Sequence, residues 1–77
     1  MRLINFDIVE NSIFNFVFDN GVQKKADIKN LLKDKVSNTE LKTARINQEW
    51  GCLEFNDGMV DIEPKTLYNY TQSYSNK

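Results

Sequence analysis

Two short stretches of this chain read alike, Phe18-Asp19-Asn20-Gly21 and Phe55-Asn56-Asp57-Gly58. Each closes an aromatic-bearing run with two acidic or amide residues and a glycine. Asn-Gly and Asp-Gly adopt the positive φ angles of a tight hairpin at little cost, so the pair places one antiparallel hairpin in each half of the chain. Everything between must connect or cover those hairpins.

From Leu3 to Val9 apolar and polar residues alternate, with Ile4, Phe6 and Ile8 on one side and Asn5 and Asp7 on the other. That period of two is the pattern of a half-buried strand. Glu10-Asn11-Ser12 reads as a turn. The segment Ile13 to Phe18 is the most β-prone of the chain, with Phe14, Phe16 and Phe18 on one face and Ile13, Asn15 and Val17 on the other. It is expected to be the central strand, and its three phenylalanines the middle of the core. After the first turn, Val22, Lys24 and Ala26 alternate with Gln23, Lys25 and Asp27 in a third strand near an edge, where lysines discourage further pairing.

Asp27 is placed to cap a short helical turn through Lys33, with Ile28, Leu31 and Leu32 at the spacing of an inward stripe. Ser37-Asn38-Thr39-Glu40 offers a second N-cap with Glu40 near the capping-box position, and Leu41 and Ala44 facing inward. Both helices are too short to persist without the sheet. Arg45 to Phe55 resumes alternation: Ile46, Gln48 and Trp50 share one side, Gly51 interrupts as a turn or bulge, and Leu53 and Phe55 restore the apolar face. Met59 to Ile62 is a short strand, and Pro64 fits the first turn of a last helix that docks through Leu67, Tyr68 and Tyr70. Trp50 and Tyr68 are expected in the core, Tyr70 and Tyr74 at the surface, and Cys52 partly exposed. Residues from Thr71 onward are expected to fray. The fold class is therefore α+β. It comprises one small domain over residues 1–70, with an antiparallel sheet of about five to six strands, two short central helices and a C-terminal helix, followed by a polar tail over 71–77.

A chain of 77 residues hides only roughly 60% of the surface it would expose when unfolded, which predicts modest stability or help from a partner. One cysteine, Cys52, permits no internal disulfide, and there is no histidine. Ser-His and Cys-His catalysis are thereby excluded, and the commonest zinc ligand is missing. Gly21, Gly51 and Gly58 lie too far apart for a phosphate-cradling loop. No stretch approaches the roughly 20 apolar residues of a membrane span or the apolar run of a signal peptide. A cytoplasmic, non-enzymatic protein without cofactor, metal site or membrane partner is the expectation.

The net charge of −1 conceals an uneven distribution. Lys24, Lys25, Lys29, Lys33, Lys35, Lys42 and Arg45 dominate residues 24 to 45, whereas residues 46 to 64 carry Glu49, Glu54, Asp57, Asp61 and Glu63 and no base. Such a split steers a charged partner, or lets the two segments pack side by side and neutralise each other. Glu54, Asp57, Asp61 and Glu63 could be arranged for a divalent cation or for acid–base work, but a period of two reads them as a solvated sheet edge. The acidic five are the candidate partner-binding surface, because a concentrated negative face competes for a basic groove on a protein partner such as a toxin or a nucleic-acid-binding enzyme. The alternative is a nucleic-acid contact through Lys24, Lys25, Lys29, Lys33 and Lys35, although base readout ordinarily adds Arg, Asn or aromatics that this segment lacks. A homodimer is compatible with either.

Phe18-Asp19-Asn20-Gly21, Asp27-Ile28 with Leu31-Leu32, Gly51-Cys52-Leu53-Glu54-Phe55, Asp57-Gly58, Asp61-Ile62 and Pro64 through Leu67-Tyr68 follow one another in an order that resembles the small bacterial DUF2442 family. The resemblance runs from about Leu3 to Tyr70, and its specificity lies in the order and spacing of short motifs. Family members usually carry Trp-Pro before the second turn where this chain has Glu54-Phe55-Asn56, a departure that bears on packing. The resemblance implies a compact α+β domain with an antiparallel sheet, found in bacteria and their mobile elements. Some relatives are joined to a helix-turn-helix domain, and some sit beside a second small protein in what look like toxin–antitoxin pairs. It therefore implies a regulatory, partner-binding role of antitoxin or inhibitor type, and brings no active site with it.

Overall fold

The structure, a computed structural model, describes residues 1–74. Strands β1 (Leu3–Glu10), β2 (Ile13–Phe18) and β3 (Gln23–Asp27) form one antiparallel sheet in that order. Strands β4 (Arg45–Ile46), β5 (Leu53–Phe55) and β6 (Val60–Ile62) form a second. Helix α1 (Lys29–Leu32) and a 3₁₀ turn over Glu40–Thr43 lie between the sheets in the chain, and helix α2 (Pro64–Tyr74) ends it. The α+β class stands, but the single sheet of five to six strands is corrected to two sheets of three. The second sheet is short because β4 and β6 supply only two and three residues, too few to extend a ladder into the first.

β2 is the central strand of its sheet and carries the core. Phe14, Phe16 and Phe18 are fully buried. Phe14 stacks on Phe16 at 5.5 Å between ring centroids, meets Phe55 of the second sheet edge-on at 6.3 Å, and Phe18 meets Tyr68 of α2 edge-on at 5.1 Å. One apolar cluster thus joins both sheets and both helices.

β1 departs from simple alternation. Leu3 pairs with Phe18, Phe6 with Phe16 and Ile8 with Phe14, while the register shifts once between Leu3 and Asn5 and again between Ile8 and Glu10. Ile4 and Val9 are therefore the extra residues of two bulges and turn outward, both exposed. The inward set is Leu3 and Phe6, not Ile4, Phe6 and Ile8; Ile8 pairs with Phe14 but stands 42% exposed.

The two similar turns fold differently. At the first, only Gly21 takes positive φ, at 86°, and its N–H donates to the Phe18 carbonyl at 2.9 Å. At the second, Asn56, Asp57 and Gly58 are left-handed in succession, with φ of 55°, 57° and 89°. Asn and Asp bear that conformation better than other side-chain-bearing residues. Thr43 pins this turn by accepting the Asn56 N–H at 2.8 Å.

The alternation read through Gln48 and Trp50 does not continue β4. The chain reverses at Asn47, whose Oδ1 accepts the N–H groups of Glu49 and Trp50, both at 2.9 Å. Gly51 closes the loop at φ 72°. Trp50 consequently stands 66% exposed, which corrects its expected place in the core. Gly51 is also where the sheets touch. A Cβ there would lie 2.7 Å from Arg2 Cβ, and the Gly51 carbonyl accepts the Leu3 N–H at 3.0 Å.

The capping box forms as its residues predict: Ser37 N–H donates to Glu40 Oε1 at 2.8 Å and Glu40 N–H to Ser37 Oγ at 3.3 Å. The turn it starts is 3₁₀ rather than α, with Leu41 buried and Ala44 half-buried. Helix α1 is shorter than expected because Lys33 turns left-handed at φ 55°, yet Ile28 and Leu32 are buried and Leu31 half-buried. Helix α2 starts at Pro64 and runs past Tyr70 with Thr71 buried, so fraying does not begin at Thr71. Tail residues 75–77 and the side chain of Tyr74 lie outside the described residues.

Asp27 ties four elements together. Its Oδ1 accepts the Ser12 hydroxyl at 2.6 Å and the Lys29 N–H at 3.0 Å, while its backbone carbonyl accepts the Tyr70 hydroxyl at 2.6 Å. The Ser12 hydrogen bond, then that from Lys29, hold its carboxyl below the usual carboxylate range.

Two outcomes are expected. Phe16→Ala removes a ring with no accessible surface and should cost about 3–5 kcal/mol in urea denaturation, enough to unfold much of so small a domain. Asp27 has a depressed folded pKa, so its contribution is present above the unfolded value near 3.8 and is lost as pH falls through the folded one. Asp27→Asn should therefore lower stability at pH 7 and narrow the gap between urea midpoints at pH 7 and pH 3; an unchanged gap would contradict this assignment.

Candidate interaction surface

The second sheet has an inner face, in which Ile46, Leu53 and Ile62 form one cross-strand row and Phe55 pairs with Val60. Alternation turns Glu54 to the other face of β5, so Arg45, Glu54 and Asp61 form the corresponding outer row, with Cys52 just before the strand. Glu63 follows Asp61 on that side by the same period of two. Four of the chain's charged groups are thereby gathered on one small face.

The five acidic candidates have different fates there. Glu54, 7% exposed, receives hydrogen bonds from Asn47 Nδ2 at 2.8 Å and Arg45 Nε at 3.0 Å. Those bonds, Asn47 first, hold its carboxyl below the usual range. Its charge is spent within the sheet. Asp57 sits in the left-handed turn with Arg45 Nη1 at 3.5 Å, an exposed pair of little energetic weight. Glu49 is exposed on the loop between β4 and β5. Asp61 and Glu63 are exposed and line two depressions. One is shared with Leu31, Lys35 and Val60. The other is an open groove shared with Met1, Trp50, Cys52, Pro64 and Lys65. The acidic set thus resolves into a neutralised centre at Glu54, one outlying turn at Asp57, and a pair, Asp61 and Glu63, beside an exposed tryptophan.

The loop bearing Trp50 is held from several sides. Besides the two Asn47 hydrogen bonds, Gly51 N–H donates to the Asn47 carbonyl at 2.7 Å. The guanidinium of Arg2 donates to the Glu49 carbonyl at 2.8 Å and to that of Gln48. Sequence alternation missed this because it read Trp50 as a strand residue; Asn47 followed four residues later by Gly51 was the available sign of a reversal.

The lysines do not gather into one strip. Lys24 pairs with Phe16 and is half-buried on the core side of β3, whereas Lys25 pairs with Asn15 on the opposite face. Lys29 opens α1, Lys33 occupies the left-handed position after it, and Lys35 lines the depression with Asp61 and Glu63. Arg45 and Lys35 thus bring part of the basic segment against the acidic one, the side-by-side packing that the charge pattern allowed.

Cys52 lines the groove. Burial, then the carboxylates of Asp61, Glu63 and Glu54, push its thiol up, with Arg2 opposing. A thiol so placed is mostly protonated at neutral pH and is a poor nucleophile. Among the described residues no three or more acidic or cysteine side chains converge in a way that could hold a metal ion. No helix among them is long and apolar enough to cross a membrane.

A family model described as a protein of unknown function, DUF2442, matches residues 3–73. The chain is also similar to a segment of the mRNA cleavage and polyadenylation factor CLP1 of Candida albicans, at 30% identity over 70 residues. That match takes in 86% of this chain and 14% of the fungal protein. The chain therefore spans a small fraction of that relative, and the likeness concerns a segment of it. No solved structure gives a significant match.

The environment of Cys52 carries its own check. Its reaction with a dianionic aromatic disulfide should be slower than that of free cysteine at pH 7.5, and Asp61→Asn with Glu63→Gln should accelerate it. Equal rates for the two proteins would remove the negative field from the groove.

Proposed function

The chain belongs to the DUF2442 family, a family of unknown function, and on that premise we propose that it is a non-catalytic regulatory module that acts by occupying a surface of a protein partner, as an antitoxin or a phage or mobile-element inhibitor would. The observation that carries this reading is the juxtaposition of the exposed carboxylates Asp61 and Glu63 with the exposed Trp50 and Met1 in one open groove. Aromatic anchors bordered by charge are the composition of a protein-binding patch, since a tryptophan buries much area on contact and carboxylates select a basic partner. Glu49 extends the negative side along the same loop. Glu54 and Asp57 support the sheet that presents the patch through their contacts with Arg45. The absence of histidine and a protonated Cys52 favour binding over chemistry. A cytoplasmic setting suits the single reduced thiol.

Affinity capture from lysate of the source organism, run with and without nuclease, tests the reading. Wild type should retain a stoichiometric protein partner, and Asp61→Lys with Glu63→Lys should lose it while keeping an unfolding free energy within about 0.5 kcal/mol of wild type, as surface substitutions usually do. Undiminished capture by the folded double variant would overturn the acidic surface. Recovery of nucleic acid alone, abolished by nuclease, would shift the reading to the lysine segment.

A further inference from the structure

The groove beside Trp50 has an occupant that its chemistry specifies. This inference rests on the protein-binding reading above and deepens it. Trp50 is the one tryptophan of the chain and stands 66% exposed, on a loop whose backbone is fixed by Asn47, Arg2 and the approach of Gly51 to Arg2. An indole presented on a rigid loop loses little entropy when covered, which is the property of a binding anchor. The groove walls are of two kinds. Trp50, Cys52, Pro64 and the Met1 side chain are apolar or weakly polar, Asp61 and Glu63 are anionic, and Lys65 and the α-ammonium of Met1 are cationic. Arg2 and Glu54 flank the groove, but the guanidinium of the first is turned to the Gln48 and Glu49 carbonyls and the carboxylate of the second to Asn47 and Arg45.

We infer that Trp50 anchors the partner by receiving an arginine side chain from a basic segment, its guanidinium against the indole and its charge toward Asp61 and Glu63. Arginine satisfies both walls at once. Its planar, weakly hydrated guanidinium stacks on an aromatic ring and its fork of donors matches a carboxylate, whereas the compact, strongly hydrated ammonium of lysine meets only the charge. The thiol of Cys52, which lines the groove, senses more negative than positive charge, in keeping with a cationic guest.

Because Trp50 is the single tryptophan, its fluorescence reports the groove directly. Titration with hexa-arginine should give a saturable change that weakens as salt rises. Hexa-lysine should bind several-fold more weakly, and hexa-glutamate should give no change. Fluorescein-labelled hexa-arginine, followed by anisotropy, should lose affinity at least several-fold on Trp50→Ala and on Asp61→Asn with Glu63→Gln, and should gain it on Lys65→Gln. Equal affinity for arginine and lysine peptides, or undiminished binding by Trp50→Ala, would overturn the assignment. In partner capture, a Trp50→Ala protein that retains the partner which the Asp61→Lys, Glu63→Lys protein loses would remove the anchor and leave the protein-binding reading intact; retention by both would remove the anchor and the acidic surface together.

Discussion

The row of three phenylalanines on β2 is the constraint around which the rest of this fold is arranged. Rings at every second residue of one strand create a continuous apolar ridge, and a chain this small has no other surface large enough to organise a core. Leu3 and Phe6 both reach the ridge because β1 bulges at Ile4, and the second sheet reaches it through Phe55. Helix α2 closes the remaining side with Tyr68 on Phe18, and Leu67 and Thr71 beneath. Each of these elements is too short to be stable alone, so the ridge sets where they sit as well as how firmly.

The parts of the fold legible in the sequence were those decided by neighbours in the chain. The phenylalanine face, the central position of β2, the inward stripe of Ile28, Leu31 and Leu32, the reciprocal Ser37–Glu40 bonds and the entry of α2 at Pro64 all depend on spacing within a few residues. What could not be read was decided across strands. Nothing local distinguishes Ile4 from Phe6 as the residue that bulges out; the choice is made by the register against β2. Likewise a period of two persists through Gln48 and Trp50 although Asn47 has already turned the chain. The division into two sheets has the same origin, since β4 and β6 are too short for their patterns to show where a ladder ends.

The surface was legible to a similar depth. Composition picked out the acidic residues between 46 and 64, and the chain places Asp61 and Glu63 together on an open face. Composition could not show that Glu54 would be consumed by Arg45 and Asn47, because that depends on a cross-strand row. Nor could it show Trp50 beside the carboxylates. The proposed binding surface accordingly narrows from five charges to two charges and an indole.

The contact between Gly51 and Arg2 has a dynamic consequence. With the Arg2 carbonyl bonded to the Asp19 N–H, its guanidinium on the Trp50 loop, and the Gly51 carbonyl on the Leu3 N–H, the loop and the start of β1 cannot open separately. The two form one cooperative unit, in which a load applied at the loop is transmitted to the edge of the phenylalanine sheet. Amide protons of Leu3 and Gly51, distant in the chain, then share a common opening event, and whatever rests on the loop suppresses exchange at both.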